Sequence, residues 1–340
     1  MERSNQFVGQ SLAFLDAVER ASRAAPLNRP VLVIGERGTG KELIAERLHH
    51  LSPRWSGPLV TMNCAALPEN LIEAELFGHE AGSFTGASKT RHGRFEEADG
   101  GTLFLDELAT LSSPAQDRLL RAVEYGEVTR IGASKPISVD VRIVAATNAH
   151  LPGLVDRGLF RADLLDRLSF EVVTLPPLRV RTGDISLLSE YFGRRMAVEL
   201  DWPNWPGFSS RLVAELEAYP WPGNVRELRN VVERAVYRAE DPERDIDQVQ
   251  FDPFESPWVT DDEPRSPSLP EATPATAATP DASAPANDFR AAVTAYERSL
   301  LEDALARNRF NQRATAAALG LSYDQLRHAL KRHKLQDTAA

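Results

Sequence analysis

Cysteine is nearly absent: Cys64 is the one thiol in 340 residues, which excludes an intramolecular disulfide and suits a reducing compartment. Long apolar runs are missing too. No stretch approaches the roughly 18 consecutive apolar residues that a spanning helix needs. Met1 to Gln10 hold no apolar segment behind a basic start, so no secretory leader is expected and the chain is expected in the cytoplasm. Positive charge is in deficit, with 39 Lys and Arg against 49 Asp and Glu and a net charge of -10. Taken as an average, that balance disfavours nucleic-acid binding, because a phosphate backbone repels an acidic protein. No internal repeat is evident.

What is present qualifies those averages. Hydrophobic content of 42% and charged content of 26% suit a globular protein with a sizeable core, and 340 residues suggest two or three domains. The charge is unevenly spread. Between Arg307 and Lys334 the basic residues are Arg307, Arg309, Arg313, Arg327, Lys331, Arg332 and Lys334, against one acid, Asp324.

From Arg29 to about Val173, short apolar runs alternate with longer amphipathic stretches. Pro30 to Ile34, Pro58 to Met62, Thr102 to Leu105 and Val141 to Ala146 read as buried strands of a parallel sheet. Glu42 to Leu51 and Pro114 to Val123 read as helices between them, so the expected class is α/β over residues 1–173. After Pro176-Pro177 the spans Asp184 to Leu200, Ser209 to Tyr219 and Val225 to Ala239 read as helices, with Asn224 as an N-cap, giving an all-α lid over 174–240. A Pro/Ala/Thr/acid-rich segment over 241–287 cannot bury enough apolar surface to order itself and is expected to be a linker. Helical periodicity returns over 288–340.

Gly35-Glu36-Arg37-Gly38-Thr39-Gly40-Lys41-Glu42 follows an expected strand and opens an expected helix. That is the setting a phosphate-binding loop requires: glycines let the backbone N–H groups face phosphates, and the helix N-terminus adds its dipole. Lys41 would reach the terminal phosphates of ATP. Glu42 replaces the usual Ser or Thr that ligates magnesium. Downstream, Gly101 to Leu105 is an apolar strand ending in Asp106 and Glu107, where Asp106 would hold Mg2+ and Glu107 would polarise the attacking water.

At the C-terminal end, Gln312 to Leu319 reads as a helix, Gly320-Leu321-Ser322 as a turn, and Tyr323 to His333 as a second helix capped by Ser322. That is a helix-turn-helix, with Leu319, Leu321, Leu326 and Leu330 as its apolar seam. Gln312, Arg313, Ser322, Tyr323, Gln325, Arg327, His328, Lys331 and Arg332 are the candidate contacts to double-stranded DNA.

Further stretches go beyond a generic P-loop protein. Glu75 to Ala87, containing Gly82-Ser83-Phe84-Thr85-Gly86-Ala87, resembles the Gly-Ala-Phe-Thr-Gly-Ala loop of bacterial enhancer-binding proteins, the AAA+ activators of sigma-54 RNA polymerase. Phe160 to Leu168 is similar to their arginine-finger segment, and Trp221 to Leu228 to their sensor II segment. Together these cover about Phe7 to Ala239. The same family carries Glu after the P-loop lysine, as Glu42 does here.

The resemblance implies roles that the residues alone leave open. Phe84 by itself reads as a loop anchor or as an apolar tip; in the family this loop contacts the sigma factor. Arg161 and Arg167 would act in a neighbouring subunit's ATP site, which implies a ring, hexameric by resemblance. Arg226 would contact nucleotide in its own subunit, Asn63 would pair with Glu107 and relay nucleotide state, and Asn148 would serve as sensor I. The C-terminal stretch resembles the Fis-type helix-turn-helix of these activators.

With the AAA+ pattern beginning in the first ten residues, an N-terminal sensing domain is not expected and control is expected from a partner in trans. Asp106 to Thr110 and the Trp221 segment resemble in particular the phage-shock branch of the family, where a membrane-stress protein binds the AAA+ module and represses it. Trp55, in a polar loop, reads as a buried anchor or as the docking point of such a regulator. Two other functions compete: an ATP-sensing DNA-binding regulator without motor activity, and another AAA+ remodeller acting on DNA. The catalytic acids and finger arginines speak against the first, the Phe84 loop and the Fis-type tail against the second.

Overall fold

The computed structural model describes residues 7–83, 87, 89–239 and 241–254, then 297–298, 301, 304–305, 312, 315–316, 319, 321 and 323–333. The chain divides into two compact units, Met1–Val259 and Thr260–Ala340.

The first unit is built on a parallel five-stranded sheet in the order β2-β3-β6-β1-β7. Its strands are β1 (Val31–Ile34), β2 (Leu59–Asn63), β3 (Thr102–Asp106), β6 (Arg142–Thr147) and β7 (Glu171–Thr174), and a small antiparallel ladder joins β4 (Glu127–Val128) to β5 (Ile137–Ser138). The helices are α1 (Leu12–Ala24), α2 (Lys41–His50), α3 (Glu69–Phe77), α4 (Arg94–Glu97), α5 (Ser113–Tyr125), α6 (Leu151–Asp156) and α7 (Ala162–Leu168).

The central strands are apolar runs because both faces are covered. Leu32, Leu103, Leu105, Ile143 and Ala145 point into one core with Phe77, Phe95 and Leu119. Val31, Val33, Phe104, Val144 and Ala146 point into the other with Ile44, Leu48 and Ala21. β2 departs from expectation. It is an edge strand with one neighbour, and of its residues only Met62 is buried.

The lid consists of α8 (Asp184–Glu199), α9 (Ser210–Ala218) and α10 (Asn224–Arg238). α10 buries Leu228, Val231, Val232, Ala235 and Val236, a stripe at helical spacing, and Trp221 just before it is 0% exposed. Asn224 is not the N-cap expected of it. Gly223 takes that position, and Glu227 Oε2 accepts the Gly223 N–H at 2.7 Å. The lid also runs past the boundary expected at 240: Ile246 is buried and bridges to Phe208, and the Phe251 ring stacks on Tyr219 at 4.2 Å. Those two apolar residues anchor a stretch whose composition otherwise reads as linker, so 241–251 belongs with the lid.

In the second unit, Leu301, Leu305, Ala316, Leu326 and Leu330 form a small core. The helix Tyr323–Arg332 matches the expected second helix. Leu321, expected in the seam, is 36% exposed instead. The expected linker beyond 254 lies outside the described residues.

Candidate active site

All the expected phosphate and acid groups sit at the C-terminal ends of parallel strands, where open α/β sheets bind ligands. Gly35 leaves β1, its N–H donating to Thr147 O at 3.2 Å. Gly38 (φ +77°) and Gly40 (φ +98°) adopt the left-handed backbone that glycine tolerates. Thr39 Oγ1 closes the loop by donating to Glu36 O at 2.8 Å.

Lys41 opens α2 and is buried, with Nζ donating to Gly35 O (3.0 Å) and Glu36 O (3.2 Å). Burial lowers its pKa, while the carboxylates of Asp106 and Glu107 oppose the shift. A cation desolvated beside two acids and among left-handed glycines fits a triphosphate better than it fits a structural ion pair.

Asp106 ends β3 in register with Asn63 on β2, and its Oδ1 accepts the Glu107 N–H at 3.0 Å. Glu107 has φ +53°, a turn that takes its side chain out of the strand, and its Oε1 stands 3.8 Å from Arg37 Nε. Asn63 Oδ1 accepts the Ala65 N–H at 2.8 Å, closing a local turn, and no hydrogen bond from Asn63 to Glu107 occurs. Asn148 lies exposed just beyond β6. Cys64, next to Asn63, is fully buried, and burial pushes its thiol up to about 12, the behaviour of a structural rather than a reactive cysteine.

The lid closes on the loop at Gly38. A Cβ built there would stand 2.2 Å from Gly223 O and 3.1 Å from Arg226 Cβ. Asn224, fully buried, donates to Glu36 Oε2 and Arg37 O at 3.0 Å each and accepts the Leu178 N–H at 2.7 Å. Arg179 grips Glu36 through two bonds of 2.6 and 2.9 Å; with Asn224 it holds the Glu36 carboxyl at about 2.

A cavity of about 280 Å3 opens between these parts. Its lining joins Gly38 to Glu42, Asp106 and Arg226 with the apolar side chains Phe7, Val8, Phe14, Tyr191, Phe192 and Val225, and Arg181, Arg195 and Arg229 also border it; the apolar members suit a flat base. A larger hollow of about 650 Å3 beside Arg234 and Arg244 mixes both charges and holds none of these groups. The pattern of the sequence does not reveal the residues that hold Phe7 and Val8 in place. Asp184 accepts from Gln10 N (2.6 Å), Ser11 N (3.0 Å), Ser11 Oγ (2.9 Å) and Arg181 Nε (2.8 Å). The one available signal is an Arg-x-x-Asp spacing at the start of α8.

Arg161 and Arg167 do not line the cavity. Arg161 is ion-paired with Asp117 and, at 2.6 Å, with Asp163; Arg167 pairs with Glu124 at 2.6 Å, and the side chains of both arginines are accessible. Gly82 (φ +79°) donates its N–H to Ala87 O at 2.7 Å. Ser83 abuts Gly132; Phe84, Thr85 and Gly86 lie outside the described residues. Trp55 is 66% exposed, which removes the buried-anchor alternative. In the second unit Tyr323, Gln325, Arg327, His328, Lys331 and Arg332 are exposed on one helix, with Arg332 paired to Glu297; Gln312 is half-buried. Arg313 and Ser322 lie outside the described residues.

Comparisons with known proteins agree with this geometry. Residues 7–174 match the Sigma-54 interaction domain, 179–260 the AAA+ ATPase lid domain, and 292–333 the Fis family of bacterial regulatory proteins. The chain is 51% identical over 334 residues to the Psp operon transcriptional activator of Escherichia coli (strain K12), covering 98% of this chain and 99% of that protein. It is 43% identical over 334 residues to the anaerobic nitric oxide reductase transcription regulator NorR of Vibrio vulnificus (strain YJ016), covering 97% of this chain and 63% of NorR. Among solved structures, NtrX from Brucella abortus in complex with ADP aligns with a TM-score of 0.67 and 33% identity, covering 97% of this chain and 70% of NtrX. NtrX in complex with ATP gives 0.66 and 32%, with the same coverage.

Proposed function

This chain belongs to the sigma-54-dependent transcriptional activators, AAA+ ATPases with a Fis-type DNA-binding domain, and from that premise we propose how its residues divide the work. ATP binds with its phosphates on Gly35 to Lys41 and its base against Phe7, Val8 and Tyr191. Magnesium would be held beside Asp106, a strand-end carboxylate in the lining of the cavity. Bound there, it would supply positive charge against the phosphates. Glu107 accepts a proton from the water that attacks the γ-phosphorus as the bond to the ADP oxygen breaks. Asn63 and Asn148 report nucleotide state, and Arg226 carries it to the lid.

Arg161 and Arg167 complete the site of the adjoining subunit in a ring, and their accessibility supports that reading. The loop 82–87 carries the resulting movement to sigma-54, so that ATP turnover remodels the closed promoter complex. Tyr323, Gln325, Arg327, His328, Lys331 and Arg332 hold the protein on upstream DNA in the cytoplasm. Identity of 51% across nearly the full length of the Escherichia coli relative supports a phage shock operon as the target. The exposed Trp55 supports docking of a trans-acting repressor of the membrane-stress response.

The observation that carries the reading is the meeting of Lys41, Asp106 and Arg226 in one cavity. Replacing Glu107 by Gln tests it. ATP binding persists while turnover falls by about 10²- to 10⁴-fold, the usual worth of a general base; turnover near wild type would reassign the base.

A further inference from the structure

Gln116 lies on α5 with only 1% of its surface exposed. A buried amide is costly unless its donors and acceptor are met, and here they are met by backbone from separate parts of the chain. Nε2 donates to Leu111 O at 2.9 Å and to Leu159 O at 3.2 Å, and Oε1 accepts the Arg161 N–H at 2.9 Å. The orientation is fixed, since a flipped amide would set oxygen against two carbonyls and N–H against N–H.

Each partner has a position that matters. Leu111 closes the short turn that follows the catalytic acids: its N–H donates to Leu108 O at 3.2 Å, and Thr110 binds Glu107 O through N–H (3.0 Å) and hydroxyl (2.8 Å). Arg161 is the N-cap of α7, and Phe160 before it is buried. The neighbour of Gln116, Asp117, takes the guanidinium of Arg161. One turn of α5 thus holds both the backbone and the side chain of the finger, and the same turn is bonded to the segment leaving Glu107.

We propose that Gln116 is a positioning residue: it sets Arg161 for work in the adjoining subunit and ties that setting to the Asp106–Glu107 turn of its own subunit. The proposal rests on Arg161 acting in trans. A shift of the Glu107 main chain on ATP binding or cleavage moves Leu111 O, and with it the amide and the Arg161 N–H. Nucleotide state at one site then alters the finger presented to the next.

The test uses the full chain with Gln116→Met, which keeps length without hydrogen bonds, and with Gln116→Glu, which keeps the acceptor for Arg161 N–H but sets oxygen against both carbonyls. Both variants bind a fluorescent ATP analogue as wild type does, while ATP turnover falls about 10- to 100-fold, as misplacement of a reacting group by an ångström does. The decisive readout is mixing with Glu107→Gln subunits, whose site is dead but whose finger is intact. Turnover per Gln116-variant subunit rises several-fold, and an Arg161→Ala control mixed in the same way rises too. If the Arg161→Ala mixture recovers and the Gln116 mixtures do not, the defect lies in the subunit's own site and the proposal is wrong. If neither recovers, Arg161 does not act in trans and the proposal falls with that reading. Unchanged turnover in both Gln116 variants would also overturn it.

Discussion

Replacing Asp184 by Asn should destabilise the first unit far more than an ordinary helix-start substitution. Asp184 is 0% and Arg181 2% exposed, so the ion pair between them has no water to fall back on. Four hydrogen bonds converge on the carboxylate, from Gln10 N, Ser11 N, Ser11 Oγ and Arg181 Nε. Arg181 also lies 4.0 Å from the Phe14 ring centroid and donates to Val8 O at 3.3 Å. The Asn variant keeps the shape but leaves the guanidinium buried and unpaired. Loss of one neutral hydrogen bond costs about 1 kcal/mol, whereas removing one partner of a buried ion pair costs about 3–5 kcal/mol, so the charge dominates.

The assay is urea unfolding at neutral pH, followed by tryptophan fluorescence with the buried Trp221 as a reporter. The Arg181→Met/Asp184→Asn double variant should recover part of the loss, because it removes the stranded charge. Burial alone would raise the Asp184 carboxyl, but the Gln10 N–H, the Arg181 guanidinium and the Ser11 hydroxyl hold it below its usual value. A depressed carboxyl stabilises fully above its unfolded pKa of about 3.9 and loses that contribution as pH falls through the lower folded value. The gap between wild type and variant should therefore close only below about pH 4. Because the same clamp holds Phe7 and Val8 at the cavity, ATP affinity should fall as well. An Asn variant within about 1 kcal/mol of wild type, or a double variant no better than the single, would refute the reasoning.

Other consequences follow from single contacts. Gly38→Ala places a methyl group 2.2 Å from Gly223 O at a φ of +77°, so strain of about 1–3 kcal/mol should push the lid away from the loop; nucleotide titration should show about tenfold or greater weakening, and unchanged affinity would mean the lid yields freely. Arg327→Ala and Lys331→Ala should weaken DNA binding without altering DNA-free ATPase. In salt titrations a phosphate contact lowers the slope by about one for every sequence, and a base contact costs about 1–3 kcal/mol at one sequence only. Trp55→Ala should leave ATPase and folding intact, as its exposure requires, while co-expression with the proposed repressor no longer lowers reporter output. Repression at the wild-type level would remove Trp55 from the docking surface.

How much of this was legible varies with the range of the interaction. Central strands buried on both faces read as unbroken apolar runs, and the phosphate loop, Asp106 and Glu107 are contiguous motifs, so these stood out. β4 and β5, two residues each, fall below any periodicity. Ile246, Val249 and Phe251 are scattered apolar residues in an acidic stretch, which hides the end of the lid. Asn224 read as a cap because local rules favour it there, but its amide is claimed by Glu36 and Arg37 across the chain. Asp184 with Gln10 and Ser11, and Gln116 with Leu159 and Arg161, are fixed by tertiary contacts that leave no mark in spacing. Trp55 is ambiguous from its neighbours, and its exposure bears only on the buried-anchor alternative.

The central claim is that ATP hydrolysis by this chain drives promoter opening through sigma-54. The most direct measurement is open-complex formation by purified sigma-54 polymerase on a promoter carrying upstream sites, with the chain present and either ATP or a non-hydrolysable analogue. Opening with ATP alone, abolished by Glu107→Gln and by substitution of Phe84 or Thr85, is the predicted result. Opening supported equally by the analogue, or ATP turnover without any opening, would contradict it.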